Sequence, residues 1–514
     1  MTAYRLASSP RWSSTTWHIT GIALQFVALG MLFCSFLELN DGGSIVPLLA
    51  AGLFTLAVGT VARLSTETGK TGQAEIFAAV GGTWLIVSVF GALPYLLAAT
   101  FARPGIGFPV EVADALFESI SGFSCTGSTV FGAHNPIESQ GAGILFYRQL
   151  TQWMGGMGIV VLVVSILPSL RASGLGLMSA EAPGTGSADR LAPRVTDTAQ
   201  RFWKLYFVFT AVVAGALLFA GMSVFDAVAH ALTTASTGGF STRDASIGYW
   251  DSANIETVLI AGMIFGGANF TLHWRSFNKK KIVHFSDPEF RGYLFMLTAA
   301  SAAVIWILFA NGLTFGRSVR AAVFNVVTLG TSTGFGNATS TMSDGNFVLW
   351  AGGAQVILLI LLVFGGCTGS TSGGVKVLRL QVGLAHARRS LRSFRQPRAV
   401  FPVFLGRRPI PDSLVERIAG FMVIYAMLVV GGTFVLAALG TDLLTAASGV
   451  ISSLGNMGPA LQNAGPTASF VDGYSAPARL VLAFMMLVGR LEIFPMVLMM
   501  VAPYRTLRHR LPRL

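Results

Sequence analysis

Apolar residues run along this chain in long, nearly uninterrupted stretches, near residues 17–38, 44–62, 76–100, 143–168, 203–222, 254–274, 291–312, 348–366, 416–438 and 478–501. Each approaches the roughly 20 residues that an α-helix needs to cross the hydrocarbon core of a bilayer. The pattern predicts ten spans, and an even number returns both termini to one side. Connections between them are short. Residues 181–200, with Pro183, Gly184, Gly186 and Pro193, read as a flexible loop.

Four of the connections carry more than a turn. They lie after the third, fifth, seventh and ninth spans, and each holds a short, partly apolar helical stretch followed by a Gly/Ser/Thr-rich segment. The four read Glu111 to Gly127 (ending Ser-Gly-Phe-Ser-Cys-Thr-Gly), Phe225 to Gly238 (ending Thr-Thr-Ala-Ser-Thr-Gly), Ser318 to Gly334 (ending Leu-Gly-Thr-Ser-Thr-Gly) and Asp442 to Gly458 (ending Ser-Leu-Gly-Asn-Met-Gly). This is an internal fourfold repeat of span, half-helix, glycine loop and span. A helical stretch of about 10–14 residues is too short to cross but can re-enter and turn back. Irregular backbone at that depth is tolerated where it is buried in protein or lines water. Four such loops can converge on one axis, where glycine lets successive carbonyls face one direction. Rings of carbonyl oxygens then replace the hydration shell of a cation. The half-helix C-termini add a partial negative charge of about half an electron each.

Composition agrees with a membrane protein. Of 514 residues, 53% are hydrophobic and 11% charged, whereas a soluble domain carries about 25% charged residues. The net charge of +12 could suggest a nucleic-acid partner, but its placement excludes one. Most Lys and Arg fall in alternate connections: the N-terminus, 63–75, 169–204, 274–291, 376–417 and the C-terminus from Arg505. That is the positive-inside pattern, and it puts both termini in the cytoplasm. The intervening connections hold Arg103, Arg243, Arg317 and Arg320, with Arg148 and Arg479 at span edges. Cys34, Cys125 and Cys367 show no metal-ligand spacing and read as small core residues, not a disulfide pair. The apolar stretch Ile19–Leu39 is too long for a signal-peptide core and reads as a retained span. Gly69-Lys70-Thr71 has Leu64 where a phosphate loop needs glycine, so nucleotide control requires another polypeptide.

Two features interrupt the spans. The eighth runs into Gly365-Gly-Cys-Thr-Gly-Ser-Thr-Ser-Gly-Gly374, then Val375 and Lys376. Five glycines in ten residues do not hold a helix, because each costs about 1 kcal/mol relative to alanine. Arg490 lies inside the last span and calls for a partner or a water-filled cavity. Glu492, two positions on, does not share its helix face.

The loops, together with Gln152-Trp-Met-Gly-Gly-Met-Gly-Ile159, the Gly365–Lys376 segment and Gly489-Arg-Leu-Glu-Ile-Phe494, resemble the Trk/Ktr/HKT superfamily of K⁺ transporters, specifically the bacterial Trk-type membrane subunit. The resemblance covers nearly all of residues 70–505. It implies an all-α polytopic inner-membrane protein with four span–pore-helix–span repeats around a central pore, plus two N-terminal spans. The corresponding divisions are 1–68 for the two N-terminal helices, then 69–172, 173–282, 283–400 (with the intramembrane gate loop) and 401–514 for the repeats. By position it makes Gly127, Gly238, Gly334 and Gly458 the filter glycines, within an ion-binding set of Cys125, Thr126, Gly127, Thr237, Gly238, Thr333, Gly334, Asn456, Met457 and Gly458. It implies a gate below the filter comprising Gly365, Gly366, Gly369, Gly373, Gly374, Lys376 and Arg490. In plant relatives serine at the first filter glycine accompanies Na⁺ selectivity, so Gly127 favours K⁺ as the bound and transported ion. Asn456, Met457 and Pro459 depart from the threonine-rich pattern and imply an asymmetric filter. The resemblance further implies a homodimer with a pore in each protomer and a cytoplasmic ring of nucleotide-binding regulatory domains, with no organic cofactor in this chain.

A Na⁺-permeable or coupled symporter remains an alternative, as does the channel subunit of a K⁺-pumping ATPase, which would need its own ATPase. A transporter for an anionic solute would aim half-helix N-termini at its substrate. A hydrolase is disfavoured, since no nucleophile–base pair or metal-ligand cluster stands out. Glu118 suits biasing the external mouth toward cations, Asp226 suits that or helix capping, and His134 and His230 read as mouth or packing residues. Lys279-Lys280-Lys281 suits contact with anionic lipid or a partner, or simple topological anchoring.

Overall fold

A computed structural model of the chain describes residues 14–40, 42–66, 73–172, 195–406, 408–493 and 496. The two N-terminal helices, α1 (Ser14–Asn40) and α2 (Val46–Leu64), pack against each other and precede the repeats. The first repeat comprises α3 (Gln73–Gly91), the short α4 (Leu93–Leu97), the half-helix α5 (Phe108–Phe123) and α6 (Ala142–Ala172). The second comprises α7 (Val195–Phe219), the half-helix α8 (Val224–Ala235), α9 (Ala253–Gly266) and α10 (Phe270–Lys279). In the third, α11 (Pro288–Ala310) leads to the half-helix α12 (Phe315–Gly330), α13 (Gly352–Val363) and α14 (Val377–Arg395). A hairpin of β1 (Val403–Leu405) and β2 (Arg408–Ile410) precedes the fourth: α15 (Asp412–Ala438), the half-helix α16 (Leu443–Gly455), the single turn α17 (Phe470–Gly473) and α18 (Ala476–Arg490).

The long helices turn apolar side chains outward: Phe295, Trp306, Val430 and Phe434 are all exposed. In water that arrangement would be unfavourable; in lipid it is the ordinary surface of a span. Among the described residues, six helices are long and apolar enough to cross a bilayer, or seven if one bent pair counts as a span. Ten continuous spans were expected. For three of the expected spans the difference has a local cause. Helix α13 stops after 12 residues, where the glycine segment begins. Helix α18 has 15 residues and ends at Arg490. The expected span 254–274 is broken: α9 and α10 meet at 96°.

The half-helices are short by construction. At 16, 12, 16 and 13 residues they span roughly 18–24 Å at 1.5 Å per residue. Two of the four entries are capped by side chains: Ser223 Oγ accepts from Asp226 N at 3.1 Å, and Asp442 Oδ1 accepts from Thr445 N at 3.0 Å. In each case a side-chain oxygen satisfies an N–H that has no intrahelical acceptor.

Candidate ion pore and gate

All four half-helices end in one backbone pattern. A non-glycine residue turns into the left-handed region (Cys125 φ 54°, Thr237 51°, Ser332 57°, Asn456 50°), and two residues later a glycine does so too (Gly127 87°, Gly239 77°, Gly334 85°, Gly458 94°). The residue between them donates its N–H back into the half-helix: Thr126 N to Ser121 O at 2.9 Å, Gly238 N to Thr233 O at 2.8 Å, Thr333 N to Thr328 O at 2.8 Å and Met457 N to Ser452 O at 3.0 Å. A left-handed non-glycine residue costs about 1–2 kcal/mol, so four at equivalent places mark a geometry that the surrounding structure enforces.

The four loops close a ring. A methyl group built on Gly127 would collide with the carbonyl oxygen of Gly238, one on Gly239 with that of Thr333, one on Gly334 with that of Met457, and one on Gly458 would sit 3.0 Å from that of Thr126. Each glycine therefore abuts the carbonyl of the residue before the next loop's glycine, in the order first, second, third, fourth, first. Side chains reinforce the closure between the last loop and the first, where Asn456 Nδ2 donates to Thr126 Oγ1 at 2.9 Å and Ser128 Oγ to Gly458 O at 2.7 Å. Gln152 fastens the second loop to α6, its Nε2 donating to Gly238 O at 2.7 Å and its Oε1 accepting from Phe240 N at 3.0 Å.

This register corrects one expectation. The sequence pairs Gly238 with Gly127, Gly334 and Gly458, but the backbone puts Gly239 there. Helix α8 ends at Ala235 with Ser236 as its cap and Thr237 left-handed, which brings Gly238 level with Thr126, Thr333 and Met457. Likewise Thr237 is level with Ser332, not Thr333.

The glycine segment 365–374 lies directly against these loops. Ser332 Oγ lies 2.9 Å from Ser372 Oγ and accepts from Gly373 N at 2.6 Å, Thr237 Oγ1 meets Thr371 Oγ1 at 3.3 Å, and a methyl on Gly373 would strike the Gly455 carbonyl. On its other side the segment takes up the end of α9, with Cys367 N donating to Gly267 O at 2.8 Å and Thr371 Oγ1 to Gly266 O at 3.2 Å. In return Phe270 N donates to Gly369 O at 3.1 Å, and Asn269 caps α10 through Thr271 N at 2.8 Å. The break in the sixth span and the loop in the eighth are thus one interlocked feature. Glu289 Oε1 straps the loop to α11, accepting from Thr368 N at 2.6 Å and Leu378 N at 3.2 Å. Lys376 Nζ donates to the Ser372 carbonyl and to Gly373 O at 3.3 Å.

Arg490 is buried and bridges the glycine segment and the first loop. Its Nη1 donates to Thr371 O at 2.8 Å, and its Nη2 to Cys125 Sγ and Gly155 O, both at 3.2 Å. Among the described residues no carboxylate pairs with it; Glu492 pairs instead with Arg379 at 2.5 Å.

Glu118 does not face the mouth. It is fully buried and paired with Arg148 at 2.8 Å, accepting also from Thr129 Oγ1 at 3.0 Å. Asp226 binds Ser223, Thr242 and Arg243. His230 is a packing residue held by Asp226 O and Ser241 Oγ, while His134 is exposed. The three cysteines are free thiols. The arginines of the intervening connections and span edges meet acids: Arg103 and Arg479 share Asp114, Arg317 pairs with Asp344, and Arg320 with Asp251 and Glu256.

Residues 46–506 match the family model described as TrkH, cation transport protein. The chain belongs to the TrkH family. Among TrkH relatives it is 35% identical to the "Trk system potassium uptake protein TrkH" of Escherichia coli K12 over 84% of this chain and 86% of that one. It is 37% identical to the protein of that name from Halomonas elongata, over 81% and 83%. The crystal structure of the potassium transporter TrkH from Vibrio parahaemolyticus superposes with a TM-score of 0.82 at 32% identity, covering 96% of this chain and 99% of that one. TrkH proteins are multi-pass membrane transporters, not enzymes.

Proposed function

We propose that this protein takes up K⁺ across the bacterial inner membrane through the pore formed where its four glycine loops meet. The observation that carries this reading is the cyclic contact of Gly127, Gly239, Gly334 and Gly458 with carbonyls of the neighbouring loops. A four-way closure of that kind presents backbone oxygens from every quadrant to a single axis, which suits a dehydrating monovalent cation. The carbonyls of Thr126, Gly238, Thr333 and Met457 form the ring, with the flanking residues of each loop completing it. The names of the relatives, potassium uptake proteins of the Trk system, support K⁺ as the cargo.

The segment 365–374 closes the path beneath the ring and must withdraw for flux. Its ties to Ser332, Thr237 and Arg490 are individually modest and switchable. Control comes from a cytoplasmic nucleotide-binding subunit acting on a homodimer, with the basic connections and both termini on the cytoplasmic side. The test is ion flux through purified protein in liposomes, comparing K⁺, Rb⁺, Na⁺ and Li⁺ with and without a proton gradient. K⁺ and Rb⁺ flux well above Na⁺ and Li⁺, independent of the gradient, is expected; absence of cation flux in a folded sample would remove the reading. A Na⁺-permeable pore is the second reading, favoured by the departure of the fourth loop at Asn456 and Met457, and the same measurement decides it.

A further inference from the structure

A cavity of about 450 Å³ lies on the face of the molecule carrying the basic connections, between α10, the turn into α11 and the β1–β2 hairpin. Its volume falls within the roughly 300–1,000 Å³ of small-ligand sites. Arg275, Arg291 and Arg408 line it, together with Ser286, Asp287 and Gly406. Asp287 is the acid of the group, and its Oδ1 is engaged in capping α11, accepting from Phe290 N at 3.0 Å. Ser286 Oγ donates to Val283 O at 2.6 Å. Arginines from three different elements, α10, α11 and β2, thus border one cavity, and guanidinium is the side chain best matched to phosphate oxygens.

The residues that flank this lining in the sequence identify the ligand further. Phe277, Ile282 and Phe285 are exposed by 73, 70 and 63%, on the same short stretch as Lys279, Lys280 and Lys281. Bare apolar side chains beside a basic strip are the composition of a segment lying in the membrane interface. A diffusible anion would find no use for that apolar stretch, whereas a phospholipid would lay its acyl chains along it and its phosphate in the cavity. We infer that this cavity binds the phosphate headgroup of an anionic phospholipid.

Two walls of the cavity are bonded to the glycine segment, and the third packs on the helix that follows it. Helix α10 reaches it through Phe270 N and Gly369 O. The start of α11 reaches it through Glu289, next to Pro288. The hairpin packs on α14, which begins one residue after Lys376: Val403 and Leu405 lie in one buried cluster with Leu378 and Val382. At the turn of the hairpin, a methyl on Gly406 would touch Pro288 at 3.4 Å. A headgroup joining the three walls stabilises the arrangement in which they are found together, with the loop against the filter. Lipid binding stands independently of the gating reading; only its effect on flux rests on it.

Native mass spectrometry of the full-length protein, titrated with phosphatidylglycerol and phosphatidylcholine of equal chain length, tests the assignment. Wild type should retain phosphatidylglycerol about tenfold more strongly, in keeping with the attraction of each basic residue to anionic lipid. The variant R275Q/R291Q/R408Q should lose that preference, and K279Q/K280Q/K281Q should keep most of it. The single variant R408Q, on an exposed strand, should weaken it measurably and guards against misfolding of the triple variant. Equal retention of the two lipids by wild type would overturn the site. So would an equal loss in the lysine variant, which would make it a diffuse charge effect. Displacement of the lipid by millimolar inorganic phosphate would also overturn the lipid assignment in favour of a free-anion pocket. In liposomes, phosphatidylglycerol should lower basal Rb⁺ flux of wild type and leave R275Q/R291Q/R408Q unchanged.

Discussion

The guanidinium of Arg490 touches Cys125 Sγ at 3.2 Å with one amino group and the carbonyl of Thr371 at 2.8 Å with the other. One side chain from the last repeat thereby ties the first glycine loop to the segment 365–374 packed against the four loops. Its Nε has no hydrogen-bond partner among the described residues, so the charge is held by neutral oxygens and sulfur alone. Replacing Arg490 by Gln or Ala removes both the tie and a positive charge beside the proposed cation path. Basal Rb⁺ flux in proteoliposomes should rise roughly tenfold, because a hydrogen bond to a charged group contributes about 1.5–3 kcal/mol. Flux equal to wild type in a folded variant would show that the contact does not hold the path shut.

The second loop contains adjacent glycines with different obligations. Gly239 has φ 77° and faces the backbone oxygen of Thr333, which cannot move aside. Gly238 faces the side chain of Gln152, whose amide can swing. Gly239→Ala should abolish Rb⁺ uptake and lower stability by about 1–3 kcal/mol, while Gly238→Ala retains part of the uptake. Thermal melting and uptake assays on the two single variants distinguish them, and equal damage at both positions would contradict the register described above.

The Glu118–Arg148 pair is shielded from water on all sides. Arg148→Met leaves a carboxylate stranded and should cost about 3–5 kcal/mol, whereas Glu118→Gln combined with Arg148→Met should recover much of that loss. Denaturation midpoints of the single and double variants measure it. A double variant no more stable than Arg148→Met would mean that the pair is not a self-contained unit.

Outside the membrane, Asp244 Oδ1 accepts from Ile137 N at 3.1 Å, and Asp244 N donates to Glu138 Oε1 at 2.9 Å, joining two external loops. Burial, with the Glu138 carboxyl alongside, pushes the Asp244 carboxyl from 3.8 up to about 6. A folded-state value above the unfolded one means that the contribution to stability is complete below about pH 4 and is lost as pH rises through about 6. Hydrogen exchange in residues 134–140 should therefore be slower at pH 5 than at pH 7.5 after correction for intrinsic rates. Asp244→Asn should flatten that difference; an unaltered pH dependence would locate its origin elsewhere.

The repeat and the lipid-facing helices were legible in the sequence, because length and apolarity decide both. Gly127, Gly334 and Gly458, singled out in the sequence as the glycines ending a short apolar helix and its loop, are also the ones that turn left-handed. The second loop was misread by one position because Gly238 and Gly239 are both permissive, and only the point where α8 stops, at Ala235, decides which one turns. The break after Gly266 left a trace, two glycines followed shortly by the helix-capping Asn269, but apolar composition alone carried the reading straight through it. The partner of Glu118 is 30 residues distant, and that of Glu492 is 113. No helical spacing rule reaches across such separations, so both pairings depend on tertiary packing.

The glycine ring is built from one polypeptide, and none of its four quadrants duplicates another. In a pore assembled from identical subunits, any inherited change arrives at every corner at once. Here Asn456 or Met457 can be altered while the other three corners stay as they were, so in the proposed pore ion preference could be adjusted in quarter steps, by drift or by design.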